Sequence, residues 1–229
     1  WATVARELGM KYNVFCPDLR NHGDSPHSTS HNLRDMADDL LDFICEHSIT
    51  APILIGHSMG GLVAILFSLL YPEKILFPVI LDILPMNYPM DYKKEFTCLK
   101  MDVSRHTSRE SIDKEMKEIL PDIFIRQFLQ MNLERIENEY KWKINVPVLE
   151  KSRTAFELNL NYEMKYPRKS IFIIGSESEY VKKENLSVIA KYFPNATIKT
   201  IEGAGHYLHH THQKEFLEVL KNLINESLT

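Results

Sequence analysis

The chain has 229 residues, of which 44% are hydrophobic and 25% are charged, and this length predicts one globular unit with a sizeable core. A formal net charge of −4 at pH 7, with lysine and arginine scattered among aspartate and glutamate, argues against nucleic acid or an anionic membrane as a partner. No apolar run reaches the ~18 residues of a membrane-spanning helix, so no transmembrane segment is predicted.

Short apolar runs alternate with longer segments of helical period along most of the chain, which is typical of a parallel sheet with crossover helices. The strands are predicted at 12–16, 52–55, 75–82, 170–174 and 196–201. The helices are predicted at 1–8, 32–47, 59–71, 184–192 and 213–224. The predicted fold class is therefore α/β, with a mostly parallel sheet and helices on both of its faces.

The alternation stops between residues 84 and 168. Lysine and glutamate become more frequent there, no strand is predicted, and apolar residues recur every three or four positions between Ile112 and Phe124. We interpret residues 84–168 as a helical cap inserted into a core domain, whose two parts are residues 1–83 and 169–229.

The three cysteines, Cys16, Cys45 and Cys98, are widely spaced and form no CxxC motif. Their odd number and their spacing do not suggest a disulfide framework. We therefore expect buried free thiols and a reducing, intracellular compartment.

The pentapeptide at residues 56–60, Gly-His-Ser-Met-Gly, fits the pattern G-x-S-x-G between a predicted strand and a predicted helix. The two glycines permit a sharp turn that exposes the serine side chain, so Ser58 is the predicted nucleophile. The amide of Met59, at the start of the helix, is placed to bind a developing oxyanion. The alternative is a glycine-rich turn that only packs the helix on the sheet.

A nucleophilic serine needs a base, and the best candidate is His206, since it follows the last predicted strand. Sites in open parallel sheets lie at the carboxyl ends of the strands, and the preceding Gly205 would let this loop approach Ser58. His209, His210 and His212 follow closely, but no cysteine or acidic residue beside them completes a familiar ligand spacing. We therefore predict neither a metal nor another cofactor.

The stretches FCPDLRNHGDSPHS, GHSMGG, LDILPMNY and GAGHYLHH resemble the α/β-hydrolase fold family. The resemblance is closest to the branch that contains alpha/beta-hydrolase domain-containing protein eleven and small bacterial esterases. It covers nearly the whole chain and is most specific at residues 21–25 and 56–61. It implies hydrolysis of a small acyl ester or lipid-like substrate through an acyl-enzyme, and a mitochondrial location, as in the animal members. It does not indicate the oligomeric state.

Two other functions compete with this prediction. A dehalogenase or epoxide hydrolase of the same fold would use an aspartate nucleophile, so Ser58 argues against it. A non-catalytic binding or scaffolding protein would keep the G-x-S-x-G turn only as a relic of the fold. The resemblance also implies that the chain is truncated, and that its second oxyanion donor lies before residue 1. We therefore expect the 229-residue chain to catalyse poorly.

The acid that orients His206 is the hardest residue to assign. In the family it most commonly follows the strand before the last one, but the corresponding loop here offers only Glu177 and Glu179. Asp82 ends the very apolar run at 79–81, where burial without a partner would be costly and a histidine N–H would suit it. We predict Asp82 as the acid. The alternatives are Glu177 or Glu179 in this role, with Asp82 only capping its strand.

Overall fold

The computed structural model describes residues 1–88, 91–152, 157–161 and 163–228. The chain forms two compact units. The first unit comprises residues 1–16, 36–87 and 158–229, and the second comprises residues 17–35 and 88–157.

The described residues form helices and strands in the following order along the chain. The helices are α1 (Ala2–Gly9), α2 (Leu33–Glu46), α3 (Met59–Leu70), α4 (Lys93–Leu99), α5 (Arg109–Ile119), α6 (Ile123–Gln130), α7 (Val146–Ser152), α8 (Ser187–Tyr192), α9 (Leu208–Thr211) and α10 (Gln213–Leu228). The strands are β1 (Ile53–His57), β2 (Phe77–Leu81), β3 (Leu133–Ile136), β4 (Glu139–Trp142), β5 (Ser170–Gly175) and β6 (Ala196–Ile201).

The first unit is built on a four-stranded sheet in the order β1-β2-β5-β6, in which every neighbouring pair is parallel. Alternate residues of the strands face α1 and α10 in one hydrophobic cluster, as Val79 and Ile173 do against Phe216. On the other face, α3 packs against β1 and β2, and Phe172 contacts Phe193 directly after α8. The predicted parallel sheet with helices on both faces is confirmed.

Helix α3 is apolar all round because it lies in the core rather than at the surface. All residues from Gly61 to Leu69 are buried, and the Ser68 hydroxyl donates to the carbonyl of Ala64 within the helix at 2.6 Å. Over the ranges that the structure describes, no helix combines the length and the apolar character needed to cross a membrane.

The strand predicted at 12–16 is wrong. These residues have no strand assignment, and Val14 and Phe15 are 38% and 49% exposed. A strand is held by backbone hydrogen bonds to a neighbour, and residues 12–16 pair with no described strand, although β1 ends the sheet's order. The apolar run supplied the propensity for a strand but no pairing partner.

The second unit packs α4 to α7 and a two-stranded antiparallel hairpin of β3 and β4 around one cluster of buried apolar side chains. The expectation that residues 84–168 contain no strand is therefore wrong. The hairpin turns at 137–138, where Glu137 has a φ of 55°, and Leu133 and Tyr140 are buried. The charged residues of the hairpin obscure the alternation of apolar and polar residues that is typical of a strand, so no strand was predicted there.

The second unit also includes residues 17–35, which composition did not connect with the cap. The Asn145 amide donates to Asn21 Oδ1 at 3.0 Å and to the carbonyl of Ser28 at 3.2 Å. These bonds join segments that lie 124 and 117 residues apart in the chain. A boundary drawn from composition along the chain cannot reveal such long-range contacts.

The cysteines differ from the expectation of buried thiols. Cys98 is buried, and burial raises the pKa of its thiol to about 11, but Cys16 and Cys45 are exposed. Cys45 follows the buried Ile44 on α2 and is therefore turned about 100° away from it around the helix. Cys16 lies in the segment that failed to form a strand.

Candidate active site

Ser58 stands in a strained turn between β1 and α3. Its backbone has φ 52° and ψ −118°, in the left-handed half of conformational space that non-glycine residues rarely adopt. A serine before a helix commonly caps it with the side chain, but the Ser58 hydroxyl makes no such bond. The strain and the missing cap leave the Ser58 Oγ available to another partner.

The turn depends on the absence of a side chain at Gly56. A Cβ atom there would lie 2.2 Å from the carbonyl oxygen of Gly60, whereas a Cβ atom at Gly60 would meet nothing within 4 Å. We expect Gly56→Ala to lower the free energy of unfolding by about 2 kcal/mol or more, because backbone atoms must move apart. Urea unfolding measures this loss.

Gly60→Ala is the matched control for Gly56→Ala, since it adds the same methyl group four residues later. Gly60 lies in α3, where alanine favours the helix, so this variant should be as stable as the wild type or up to about 1 kcal/mol more stable. Equal stability of the two variants would show that the close approach at Gly56 is unimportant.

His206 follows β6 and joins the other two predicted residues in one chain of hydrogen bonds. Its Nε2 lies 3.0 Å from Ser58 Oγ, and its Nδ1 lies 2.8 Å from Asp82 Oδ2. These residues are 148 and 124 positions away in the sequence. The side chain of His206 is only 10% exposed. An imidazole held in this way can accept the hydroxyl proton of a neighbouring serine.

Asp82 follows β2 and is fully buried, with a φ of 51°. Its Oδ1 accepts the backbone N–H of Gly175 at 2.9 Å, and its Oδ2 accepts both His206 Nδ1–H and the hydroxyl of Ser178. Three donors therefore compensate the carboxylate for the loss of water. Since a carboxylate only accepts, its bond to Nδ1 leaves the lone pair of His206 on Nε2, facing Ser58.

The loop after β5 contributes a serine rather than an acid. Glu177 and Glu179 are both exposed, and the carboxylate that bonds to His206 Nδ1 is that of Asp82. Ser178, which lies between them, donates to Asp82 and accepts the backbone N–H groups of Tyr180 at 3.1 Å and of Val181 at 3.3 Å. Ser178 thus ties this loop to the buried carboxylate.

The His206 ring contacts the rings of Tyr180 and His57. The Tyr180 ring stacks on it with centroids 3.9 Å apart and an interplanar angle of 22°, and the His57 ring lies 4.5 Å away, tilted by 41°. Ser178, Tyr180 and His57 were not among the predicted site residues. His57 alone had a signal, as the variable residue of the G-x-S-x-G pattern.

The three histidines after His206 lie in different surroundings. The His209 ring stacks on Trp1 and lies tilted against His57. His210 is exposed, and His212 contacts the hydroxyl of Thr211. Among the described residues, no group of three or more histidine, cysteine, aspartate or glutamate side chains could hold a metal ion.

Burial of the His209 ring lowers its pKa to about 4, from an ordinary value near 6.5. As the pH falls below 6.5 the unfolded chain takes up this proton first, so stability is full above pH 6.5 and is lost between 6.5 and 4. We expect His209→Phe to reduce the loss of unfolding free energy between pH 7 and 4.5 by up to about 2 kcal/mol.

Urea unfolding of both proteins at several pH values measures this effect. At pH 8 histidine is neutral in the folded and unfolded states, so a difference there reports packing alone. A variant that loses as much stability as the wild type on acidification would contradict the assignment.

The chain is similar to known proteins along most of its length. A family described as the alpha/beta hydrolase fold matches residues 1–213. The sn-1-specific diacylglycerol lipase ABHD11 of Xenopus laevis is 31% identical over 236 residues, covering 98% of this chain and 75% of that protein. A putative esterase/lipase of Haemophilus influenzae is 30% identical, covering 98% of this chain and 78% of that protein.

A solved structure of a marine microorganism esterase is similar in both sequence and fold. It matches with a TM-score of 0.91 and 32% identity, over 97% of this chain and 88% of that chain. The similarity therefore includes both compact units, and not only the segments around Ser58 and His206.

Proposed function

The chain belongs to the α/β-hydrolase fold family, and we propose that it hydrolyses carboxylic esters with Ser58 as the nucleophile. The observation that carries the proposal is the hydrogen-bonded chain from Ser58 Oγ through His206 to the buried Asp82. The names of its relatives, which include esterases and a diacylglycerol lipase, support the same reaction.

In the first half of the proposed reaction, Ser58 Oγ attacks the carbonyl carbon of the ester, and its proton moves to His206 Nε2. The carboxylate of Asp82 stabilises the imidazolium that forms and holds its orientation. The carbonyl oxygen becomes an oxyanion, which the amide of Met59 binds, because the first amides of α3 have no partner within the helix. Collapse of this intermediate expels the alcohol, which takes the proton from His206, and leaves Ser58 acylated.

In the second half, water replaces the alcohol. His206 Nε2 takes a proton from the water molecule as its oxygen attacks the acyl carbon, and then returns that proton to Ser58 Oγ as the acid leaves. The same three side chains therefore serve both halves, and the net reaction consumes one ester and one water molecule. No cofactor takes part in the proposed mechanism.

We propose a lipid-like or short-chain acyl ester as the substrate. This choice rests on the named relatives, since the ABHD11 protein of Xenopus laevis is called an sn-1-specific diacylglycerol lipase. Glycerol esters with acyl chains of two to sixteen carbons would locate the preference for chain length.

A fluorophosphonate probe tests the nucleophile independently of the substrate. We expect a stoichiometric adduct on the peptide that contains Ser58, found by mass spectrometry, and loss of ester hydrolysis in step with labelling. A non-catalytic binding protein would neither react with the probe nor release acid from any ester. Absence of labelling, or absence of ester hydrolysis, would therefore overturn the proposed function.

A further inference from the structure

His57 links the strand that carries Ser58 to the loop that carries His206. It is the last residue of β1, and its Nε2 lies 2.8 Å from the backbone carbonyl oxygen of His206. The two rings also contact each other, with centroids 4.5 Å apart. The residue before the serine therefore holds the backbone of the histidine whose side chain faces that serine.

The direction of this hydrogen bond follows from chemistry. A carbonyl oxygen only accepts, so His57 Nε2 must carry the hydrogen. Burial lowers the pKa of His57 to about 3, so the ring is neutral at neutral pH and donates as an uncharged imidazole. The contact does not depend on protonation in the range where the proposed reaction would run.

The bonds to the His206 side chain do not fix the position of its backbone. The contacts with Asp82 and Tyr180 orient the ring, but its distance from Ser58 also depends on the loop at 203–206. Gly203 has a φ of 70°, and a Cβ atom at Gly205 would meet nothing within 4 Å. The first half of this loop is held, since the Gly203 N–H donates to Ser176 Oγ at 2.8 Å and the Ala204 carbonyl accepts from the Glu177 N–H at 2.9 Å. At 205–206 the described hydrogen bond that holds the backbone is the one to His57, and the adjacent glycine leaves this part of the loop able to shift without it.

We infer that His57 is a positioning residue, which sets the separation of Ser58 Oγ and His206 Nε2 by holding the His206 carbonyl. The side chains of two consecutive residues, His57 and Ser58, therefore contact His206 at two points, the carbonyl oxygen and Nε2. This inference rests on the proposed function, because the separation matters only if His206 takes the proton of Ser58.

Two variants separate the hydrogen bond from the packing. Gln carries an amide nitrogen close to the position of Nε2, so His57→Gln keeps a donor but loses the ring. His57→Phe keeps a ring against His206 but has no donor. Both are compared with the wild type for kcat and KM on one acyl ester and for the midpoint of thermal unfolding.

We expect His57→Phe to lower kcat by about 10- to 100-fold with KM within about twofold, because a misplaced base slows the chemical step rather than substrate binding. His57→Gln should recover kcat to within about threefold of the wild type. A residue with only a packing role would give the opposite order, since Phe fills the space of the ring better than Gln.

Suppose that the wild type hydrolyses esters and reacts with the fluorophosphonate. Full activity of His57→Phe, or a kcat of His57→Gln as low as that of His57→Phe, would then overturn the inference without affecting the proposed function. If the wild type did neither, the proposed function would fail and this inference would fail with it. Should His57→Phe unfold at the assay temperature, His57→Met offers a second variant without a donor, and the same rescue by Gln applies.

Discussion

Ser58→Ala is expected to lower kcat for ester hydrolysis by at least about 10⁴-fold. Alanine removes the only atom that the proposed mechanism makes the nucleophile, and it leaves the Cβ, the turn and the Ser58 backbone contact with Leu81 in place. The variant should therefore fold normally, bind substrate and fail in the chemical step. Turnover of a short-chain acyl ester, followed over hours, measures the residual rate.

Ser187→Ala serves as the control for Ser58→Ala. Ser187 is an exposed serine at the start of α8, so its replacement makes the same chemical change far from the proposed nucleophile in sequence. This variant should keep the wild-type rate and the fluorophosphonate adduct, whereas Ser58→Ala should lose both. Persistent labelling of Ser58→Ala would place the reactive group elsewhere.

Asp82→Asn is expected to lower kcat by about 10³- to 10⁴-fold with little change in folding. The backbone N–H of Gly175 donates to one side-chain oxygen, so asparagine should keep its carbonyl oxygen there and turn its NH₂ group toward His206. A donor facing His206 Nδ1 favours the tautomer with hydrogen on Nε2, which cannot accept the proton of Ser58. The pH dependence and kcat of an acyl ester assay measure the loss.

Glu177→Gln and Glu179→Gln are the matched controls, since each makes the same change from carboxylate to amide in the loop after β5. Both side chains are exposed, so we expect kcat to stay within about twofold of the wild type. Loss of activity in either glutamate variant, with normal activity in Asp82→Asn, would move the acid of the proposed mechanism to that loop.

The sequence could predict the three side chains of the candidate site because of where they lie relative to the strands. Ser58 and Asp82 directly follow β1 and β2, and His206 follows β6 after a short glycine-containing loop. The carboxyl ends of parallel strands meet at one edge of a sheet, so residues far apart in sequence converge there. Their catalytic roles remain a prediction that the substitutions above test.

Ser178 and Tyr180 could not be predicted, because their contacts depend on how a polar loop folds. Ser178 meets Asp82 across 96 positions of sequence, and neither periodicity nor motif distinguishes it from the serine at 176. The family resemblance indicated this loop as a source of the acid, and so drew attention to its glutamates rather than to its serine. The residue that contacts Asp82 stands between the two glutamates that were considered.

The errors in secondary structure have related causes. Residues 12–16 have the composition of a strand but no pairing neighbour, whereas the hairpin at 133–142 is rich in charged residues that usually favour helices or turns. In both cases pairing decided the outcome, and pairing is a long-range property. The helices predicted at 1–8, 32–47 and 59–71 depend on local periodicity and were found within two residues of their observed bounds.

The register of β1 and β2 has a consequence for motion within the site. His57 pairs with Leu81, so Ser58 and Asp82 leave the sheet at the same level, and their amides are bonded to the carbonyls of Leu81 and Ile173. The amide hydrogens of Ser58 and Asp82 should therefore exchange with deuterium only when the sheet itself opens. The N–H groups of Gly203 and Ala204 donate to Ser176 Oγ and to the carbonyl of Ile201, whereas those of Gly205 and His206 have no described acceptor and should exchange sooner. Slow backbone motion within the site is therefore expected at His206 rather than at Ser58 or Asp82.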